Sequence, residues 1–327
     1  MKVTVIGAGA WGAALANLLC RNGCDVTLWG HDPIHLAEAQ KTGVNEPYLP
    51  GVPLDPSLKF DADLLRAASA GEVLVLATPS HACRQITSRL GDFSGLVVSV
   101  TKGIEYDTGL SMSGVLSQTM PNASTAVLSG PTLALEVARG IPAASVAAHA
   151  KPEVAQQVQR LFNRPTFRVY TSNDVLGVEM GGALKNVVAV AAGVADGLGF
   201  GDNSKAGLIT RGIVEIRRLG VLCGAVPETF SGLSGLGDLA VTCYSRLSRN
   251  RAFGERLGRG EKVEAVLASA RTVAEGYFTA RSAYQLARRK QCQTPIIDET
   301  YAALYEGKNT RQAVQDLMNR ELKTEED

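Results

Sequence analysis

The chain has 327 residues, with 33 lysines and arginines against 32 acidic residues and a formal net charge of +1. A chain of this length suggests two domains, and its balanced charge lacks the basic excess that nucleic-acid binding needs. The six cysteines form no C-x-x-C pair and the four histidines no H-E-x-x-H motif, so the sequence predicts no metal site and no disulfide framework. Such cysteine usage is typical of a reducing compartment, and we expect a cytoplasmic protein.

The start of the chain predicts a strand, a helix and a second strand, at 3–6, 10–20 and 25–29. Lys2 followed by apolar residues up to Cys20 imitates a secretory signal. Glycines and polar residues interrupt that run, so we predict neither a targeting segment nor stable membrane insertion. The three elements are instead the beginning of a βαβ unit.

The residues at 7–12, between the first strand and the helix, read Gly-Ala-Gly-Ala-Trp-Gly and fit the pattern G-x-G-x-x-G. Glycines in this context allow a tight turn and a close approach of backbone N–H groups to a pyrophosphate. A looser match at 235–240 has no predicted strand before it, so only the first match predicts dinucleotide binding. After the second strand, a carboxylate would favour NADH, whereas a cation would tolerate NADPH. His31 and Asp32 offer one of each, and the choice of cofactor stays open.

Three further buried strands are predicted at 73–77, 96–100 and 126–128. A short polar segment follows each of them, at 78–80, 101–103 and 129–132. Ligands of an open parallel sheet bind beyond the carboxyl ends of its strands, so these segments should share one crevice. Lys102 is then a candidate charge in that crevice.

The second half of the chain has a different pattern. A last strand is predicted at 167–170, and from residue 174 onward Ala, Leu and Arg recur at helical spacing. Helices are predicted near 175–196, 204–221, 249–258, 274–290 and 310–320. We therefore predict an α/β protein, with a Rossmann-type dinucleotide-binding domain over 1–177 and a mostly α-helical substrate and catalytic domain over 178–327.

Lys185 stands almost alone among apolar residues, in the segment 182–191. An ammonium group that loses its water has a lowered pKa and can exchange protons near neutrality. The alternative is a lysine whose charged end reaches solvent from an amphipathic helix.

A second charged constellation lies at 231–251, where a glycine-rich stretch leads to Asp238 and then to Ser248, Arg249 and Asn250. A serine N-cap followed by an arginine and free N–H groups suits a phosphate or carboxylate. The alternative is an ordinary capped surface helix. Asp238 could orient Lys185 or a substrate hydroxyl.

Taken together, these segments resemble the bacterial NAD(P)-dependent glycerol-3-phosphate dehydrogenases, and the resemblance runs nearly end to end. It rests on the glycine motif at 7–12 and on seven further stretches: Asn-Glu-Pro-Tyr-Leu-Pro-Gly at 45–51, Thr-Lys-Gly at 101–103, Ser-Gly-Pro-Thr at 129–132, Leu-Lys-Asn-Val at 184–187, Asp-Gly-Leu-Gly-Phe-Gly-Asp-Asn at 196–203, Gly-Leu-Gly-Asp-Leu at 235–239 and Leu-Ser-Arg-Asn-Arg at 247–251.

The resemblance implies interconversion of dihydroxyacetone phosphate and sn-glycerol 3-phosphate with NADPH or NADH, for glycerophospholipid synthesis. It implies that Lys185 is the proton donor and acceptor, with Lys102 and Asp238 as catalytic neighbours. The residues implied to hold the small phosphorylated substrate are Lys102, Gly130, Thr132, Lys185, Asp238, Thr242, Ser248, Arg249 and Asn250. Those implied to line the cofactor site are Gly7, Gly9, Ala10, Trp11, Gly12, His31, Tyr48, Lys102, Ala134, Arg249, Val273 and Glu275.

One departure from the family pattern is Leu135, which stands where the family commonly has a lysine, and we expect this position to be peripheral. Two other functions stay open on the residues alone. One is a dehydrogenase of the same architecture that acts on a hydroxy acid, and the other is a dinucleotide sensor without catalysis. A homodimer is compatible with the sequence, which does not decide the oligomeric state.

Overall fold

The protein, as a computed structural model, is described over residues 1–269, 274–322 and 324–325, and its first half is built on one eight-stranded sheet. The strands are β1 Lys2–Ile6, β2 Asp25–Trp29, β3 Lys59–Asp61, β4 Val73–Leu76, β5 Leu96–Ser99, β6 Ser124–Ser129, β7 Ala143–Ala148 and β8 Phe167–Ser172. Their order in the sheet is β3-β2-β1-β4-β5-β6-β7-β8. Neighbours are parallel except β6 and β7, which are antiparallel.

Seven helices connect these strands: α1 Ala10–Arg21, α2 Pro33–Thr42, α3 Leu64–Ala70, α4 Cys83–Thr87, α5 Met112–Thr119, α6 Ala134–Ala138 and α7 Pro152–Phe162. Eight more follow the last strand within the described residues: α8 Val175–Gly197, α9 Asp202–Leu222, α10 Asp238–Tyr244, α11 Arg249–Gly258, α12 Val263–Ser269, α13 Glu275–Arg289, α14 Pro295–Tyr305 and α15 Thr310–Met318. The α/β class and the helical second half are therefore confirmed. The predicted division into 1–177 and 178–327 stays a prediction.

The central strands β4 and β5 form because their residues, apart from Ser99, are valine or leucine and are buried on both faces. All four residues of β4 and of β5 are buried, as covered parallel sheets require. Helix α1 packs its alanines and leucines on this sheet, and the resulting core includes Leu15, Val75 and Val98. The buried sheet gives the loops at its carboxyl edge a rigid support.

Helix α8 is the core of the second half. It is long and apolar enough to cross a membrane by composition, but 83% of its most apolar stretch is buried inside the protein. Helix α11 lies against it in backbone contact, because a Cβ at Gly254 would be 1.9 Å from the carbonyl oxygen of Val190. The lysine and asparagine of α8 are thus held in a closely packed interior.

The sequence did not predict several of the strands and helices. Strand β3 has only three residues at the sheet edge, and β7 is Ala-Ala-Ser-Val-Ala-Ala, which has little β propensity. Helices α2 to α7 were not predicted, nor were α10, α12 and α14. Most of these helices are short, so the hydrophobic period of a helix has too few turns in which to show.

Candidate functional site

The polar segments after β4, β5 and β6 meet in one crevice, as their positions after the strands predicted. The hydroxyl of Thr101 donates to the carbonyl oxygen of Thr78 at 2.8 Å. Lys102 Nζ donates to the carbonyl oxygen of Gly130 at 2.9 Å and to Thr132 Oγ1 at 3.2 Å. Lys102 is thus the charge that joins two of the three segments.

Asp238 lies between two lysines from different parts of the chain. Its Oδ2 accepts a hydrogen bond from Lys102 Nζ at 2.7 Å, and its Oδ1 accepts one from Lys185 Nζ at 2.8 Å. Lys185 Nζ also donates to Thr242 Oγ1 at 2.7 Å, one turn further along α10. Only 8% of the Lys185 side chain is exposed, so it does not reach solvent as a surface lysine would.

Burial and charge set the protonation of this cluster. Burial lowers the pKa of Lys185 to about 8, against the attraction of Asp238, which favours the ammonium form. Burial also opposes ionisation of Asp238, but the charges of Lys102 and Lys185 outweigh it and lower the pKa of that carboxyl below its usual value. The cluster therefore combines a permanent carboxylate with an amine that exchanges its proton near neutral pH.

The glycine loop between β1 and α1 has the shape of a pyrophosphate cradle. Gly7 has φ +125, and a Cβ there would be 2.5 Å from the carbonyl oxygen of Ala77. A Cβ at Gly12 would be 1.9 Å from the carbonyl oxygen of Gly7, whereas a Cβ at Gly9 would meet nothing within 4 Å. Two glycines therefore serve the close packing of strand and helix, and the third leaves open space in front of the first turn of α1, which begins at Ala10.

Unpaired groups around this loop also fit a dinucleotide. No side chain caps the N terminus of α1, so its first N–H groups are available to a phosphate. Among the described residues, the buried atoms Trp11 Nε1 and Thr78 Oγ1 have no hydrogen-bond partner. Buried polar atoms are normally paired, so partners outside the chain are expected here.

The residues after β2 do not decide the cofactor. His31 is exposed, while Asp32 caps α2 by accepting hydrogen bonds from the backbone N–H groups of Ile34 and His35. Tyr48 is half-buried and its ring meets His35 edge-on at 5.1 Å between centroids. The Asp32 carboxylate is thus used in part to cap α2, whereas the His31 side chain is exposed and makes no hydrogen bond among the described residues.

The start of α11 is built as the sequence predicted, with Ser248 as its N-cap. Arg249 is exposed, and no hydrogen bond or ion pair is seen for it in the described part of the chain. Asn250 is buried: it donates to Asn186 Oδ1 at 2.7 Å and accepts from the backbone N–H of Gly276 at 2.9 Å. Because Ser248 and Asn250 are buried, this is not an ordinary surface helix.

One predicted cofactor residue, Glu275, lies at the contact between the sheet half and the helical half, which we call the seam. Glu275, the first residue of α13, accepts hydrogen bonds from the backbone N–H and the hydroxyl of Ser80, after β4. Ala134 begins α6, and Leu135 is half-buried against the core of the sheet. Val273 lies outside the described residues.

Two contacts of the site were not predicted. Ser80 belongs to the polar segment after β4, but no pattern in the sequence pairs it with a residue 195 positions later. Asn186 has a signal in the sequence, because it is a lone amide beside Lys185 in the apolar run, yet its partner Asn250 is visible only in the fold.

A pyrophosphate cradle at the carboxyl edge of a parallel sheet, together with a buried lysine that shares Asp238 with the crevice residue Lys102, is typical of nicotinamide-dependent dehydrogenases. Comparison with known proteins agrees with this class. Residues 2–155 match the family model of the NAD-dependent glycerol-3-phosphate dehydrogenase N-terminus, and residues 174–315 match that of its C-terminus. The chain belongs to the NAD-dependent glycerol-3-phosphate dehydrogenase family.

Individual relatives cover almost the whole chain. Glycerol-3-phosphate dehydrogenase [NAD(P)+] of Geobacter sulfurreducens is 51% identical, over 99% of this chain and 98% of that protein. The crystal structure of glycerol-3-phosphate dehydrogenase from Coxiella burnetii superposes with a TM-score of 0.94 at 35% identity and covers 98% of this chain and 99% of that one. The predicted family, enzyme class and NAD(P) dependence are confirmed. D-mandelate dehydrogenase, at 10% identity and a TM-score of 0.62, shares the fold alone.

Proposed function

We propose that the chain interconverts dihydroxyacetone phosphate and sn-glycerol 3-phosphate with NAD(P)H or NAD(P)+, and that the product serves glycerophospholipid synthesis. Family membership supports this reaction. The observation that carries the chemistry is the pair of hydrogen bonds that Asp238 accepts from Lys102 and Lys185 in the crevice. The two relatives described above at 35% identity or more are both glycerol-3-phosphate dehydrogenases, which favours this reaction over a hydroxy-acid dehydrogenase or a sensor without catalysis.

In the reduction, NADH or NADPH, held at the glycine loop of 7–12, would supply the hydride that the carbonyl carbon of the substrate accepts. The carbonyl oxygen then becomes an alkoxide, and the Lys185 ammonium group stabilises that charge and donates the proton. Lys102 adds a second positive charge close by, and Asp238 holds both lysines in place. In the oxidation, the neutral Lys185 amine accepts the proton from the substrate hydroxyl.

The substrate phosphate is assigned to the beginning of α11. Arg249 and the free N–H groups behind the Ser248 cap suit a dianion. Gly130, Thr132, Asn250 and Thr242 would line the remaining substrate, since each lies beside one of the charged residues. These assignments join the crevice after β6 to the second half of the chain.

The dinucleotide is assigned to the opposite end of the crevice. The loop formed by Gly7, Gly9, Ala10, Trp11 and Gly12 would receive its pyrophosphate in the space in front of Gly9 and the first turn of α1. His31 and Tyr48 would lie on the adenosine side. The family pattern implies that Lys102, Ala134, Arg249 and Glu275 line the same cofactor, and it implies this also for Val273, which lies outside the described residues. We further propose a cytoplasmic enzyme that does not insert into membranes and that forms a homodimer.

The function is tested by the fall in absorbance at the nicotinamide band when purified protein meets dihydroxyacetone phosphate, with NADH and NADPH in separate reactions. Oxidation of cofactor should require the phosphate ester, so dihydroxyacetone, glyoxylate and an acetoacetyl thioester should react far more slowly. The ratio of the rates with NADH and with NADPH decides the cofactor preference, which His31 and Asp32 leave open. Cofactor binding without oxidation would contradict the proposal and favour a sensor.

A further inference from the structure

Two arginines begin α11, and only one of them is free to meet a substrate. Arg249 is exposed and has no hydrogen bond or ion pair among the described residues. Arg251 is buried and fully engaged: Nη1 lies 2.5 Å from Asp196 Oδ2, Nη2 lies 3.0 Å from Glu255 Oε2, and Nε donates to the carbonyl oxygen of Ser245 at 3.1 Å. Arg251 is thus a structural cation next to the segment assigned to the phosphate.

Asp196 is one of the three partners that hold the Arg251 guanidinium, and the one that comes from α8. Its other carboxylate oxygen lies 2.6 Å from Lys205 Nζ, and only 16% of its side chain is exposed. Lys205 in turn lies over the ring of Tyr244, 5.2 Å from the centroid, at the end of α10. One carboxylate therefore joins α8, α9 and α11, close to the loop that leads into α11.

The backbones of α8 and α11 touch in this same region. A Cβ at Gly193 would be 1.9 Å from the carbonyl oxygen of Arg251, and one at Gly197 would be 2.2 Å from that of Glu255. The two helices are therefore as close as glycine allows. At this distance, we infer that side-chain contacts set the rotation of α11 about its axis and the position of its first turn. Arg251 makes such contacts with two residues of the loop before α11. Its side-chain Nε donates to the carbonyl oxygen of Ser245, and its backbone N–H donates to Ser248 Oγ.

We propose that Asp196 is a positioning residue for the substrate phosphate, which acts by holding Arg251 and so fixing the segment 245–250. The proposal rests on the proposed function, in which Ser248, Arg249 and Asn250 hold that phosphate. It assigns a role to the segment 196–203, which the family resemblance singles out without explaining. None of the hydrogen bonds of Asp196 in the described structure goes to Lys102, Lys185 or Asp238, so its effect should be on substrate binding and not on proton transfer.

The test is the variant Asp196→Asn, assayed with dihydroxyacetone phosphate and with dihydroxyacetone at saturating cofactor. We expect KM for the phosphate ester to rise by about tenfold to a hundredfold, since small displacements of a binding group cost this much, while kcat stays near wild type. The kcat/KM for dihydroxyacetone and the Kd for NADH or NADPH should not change. A merely structural residue would lower kcat/KM for both substrates alike.

Asp202→Asn is the matched control, because Asp202 belongs to the same segment, is exposed and has no hydrogen bond or ion pair among the described residues. It should behave as wild type. Should Asp196→Asn fail to fold, Arg251→Lys keeps the charge but cannot donate to Asp196 and to Ser245 in the same way, and the same selective rise in KM is expected.

An equal loss with both substrates, or an unchanged KM in the folded variant, would overturn the role of Asp196. Failure of the proposed function has a different signature, because wild-type protein would then ignore dihydroxyacetone phosphate or treat both substrates alike.

Discussion

Asp238 holds two cations whose charges would otherwise repel each other. Its carboxyl is almost fully buried and remains ionised, because Lys102 and Lys185 each donate a hydrogen bond to a different oxygen. The three groups together carry one net positive charge when both lysines are protonated. A site with a net positive charge stabilises negative charge on a substrate oxygen. Such a charge develops on the carbonyl oxygen when a ketone is reduced.

Lys185→Ala should therefore remove the proton donor and one of the two cations. We expect kcat to fall by about 10²- to 10⁴-fold, the usual size of a general acid's contribution, while cofactor affinity stays near wild type. Steady-state kinetics and a fluorescence titration with NADH or NADPH measure the two effects. Lys290→Ala, at an exposed lysine after α13, is the control and should change neither. Substantial turnover in Lys185→Ala would remove this residue from its proposed role.

The pH profile should report the same residue. Burial lowers the pKa of Lys185 to about 8, so the ammonium form that reduction needs is lost above that pH and the free amine that oxidation needs is lost below it. The kcat/KM for dihydroxyacetone phosphate should therefore fall as pH rises through about 8, whereas that for sn-glycerol 3-phosphate should rise. Measurements from about pH 7 upward avoid the titration of the phosphate near pH 6.

Asp238→Asn gives a second check on this assignment. The variant loses the negative charge that favours the ammonium form, so the inflections in both directions should move to lower pH. Inflections that stay in place, or that move to higher pH, would show that another group titrates in the kinetics.

At the scale of elements, the site depends on how closely α8 and α11 approach. Glycines such as Gly193 on α8 and Gly254 on α11 allow the two backbones to come into contact. This short distance lets Asn250 on α11 hydrogen-bond to Asn186 on α8. The sequence predicted both helices with nearly the observed bounds, because each has several turns of helical spacing. It did not predict their contact, since a glycine within a helix signals flexibility as readily as close packing.

Gly254→Ala tests this contact. The added Cβ would lie 1.9 Å from the carbonyl oxygen of Val190, so the two backbones must separate. We expect the free energy of unfolding to fall by about 1–3 kcal/mol, as overpacking usually costs, and activity to fall with it because α11 is displaced. Chemical denaturation and steady-state assays measure both.

Gly207→Ala is the matched control on α9, where an added Cβ meets nothing within 4 Å. Alanine there should stabilise the helix by up to about 1 kcal/mol, because glycine has the poorer helix propensity. If both variants lost the same stability, close packing of α8 and α11 would not be what the glycine provides.

For the whole molecule, the sequence allowed the fold class and most of the charged residues of the site to be predicted, because both depend on local patterns. Lys185 stands out in an apolar run, and Lys102 follows a strand. The partners across the chain could not be predicted in the same way: Lys102 and Asp238 are 136 positions apart, and the seam of Ser80 with Glu275 joins residues 195 apart. Such pairs depend on how the helices pack on the sheet, which no local pattern encodes.

A buried acid far from the crevice links the stability of the second half to pH. Glu215 on α9 accepts hydrogen bonds from the backbone N–H groups of Ile296 and Ile297 at the start of α14. Burial raises its pKa to about 7; those N–H groups and Arg320 oppose the rise, and Asp298 adds to it. The carboxyl is thus protonated in the folded protein at pH values where it is already ionised in the unfolded chain.

Because the folded state holds this proton more tightly, the contribution of Glu215 to the free energy of unfolding should be constant below about pH 4.5, decrease as pH rises to about 7, and be constant above it. The shift of its pKa corresponds to about 3 kcal/mol over that window, as an order of magnitude. Glu215→Gln cannot ionise, so wild type should lose stability relative to this variant between about pH 4.5 and 7 in chemical denaturation. All other titrating groups are common to both proteins and cancel in the difference. A difference that does not change with pH would mean that Glu215 is ionised in the folded protein throughout, held by the N terminus of α14.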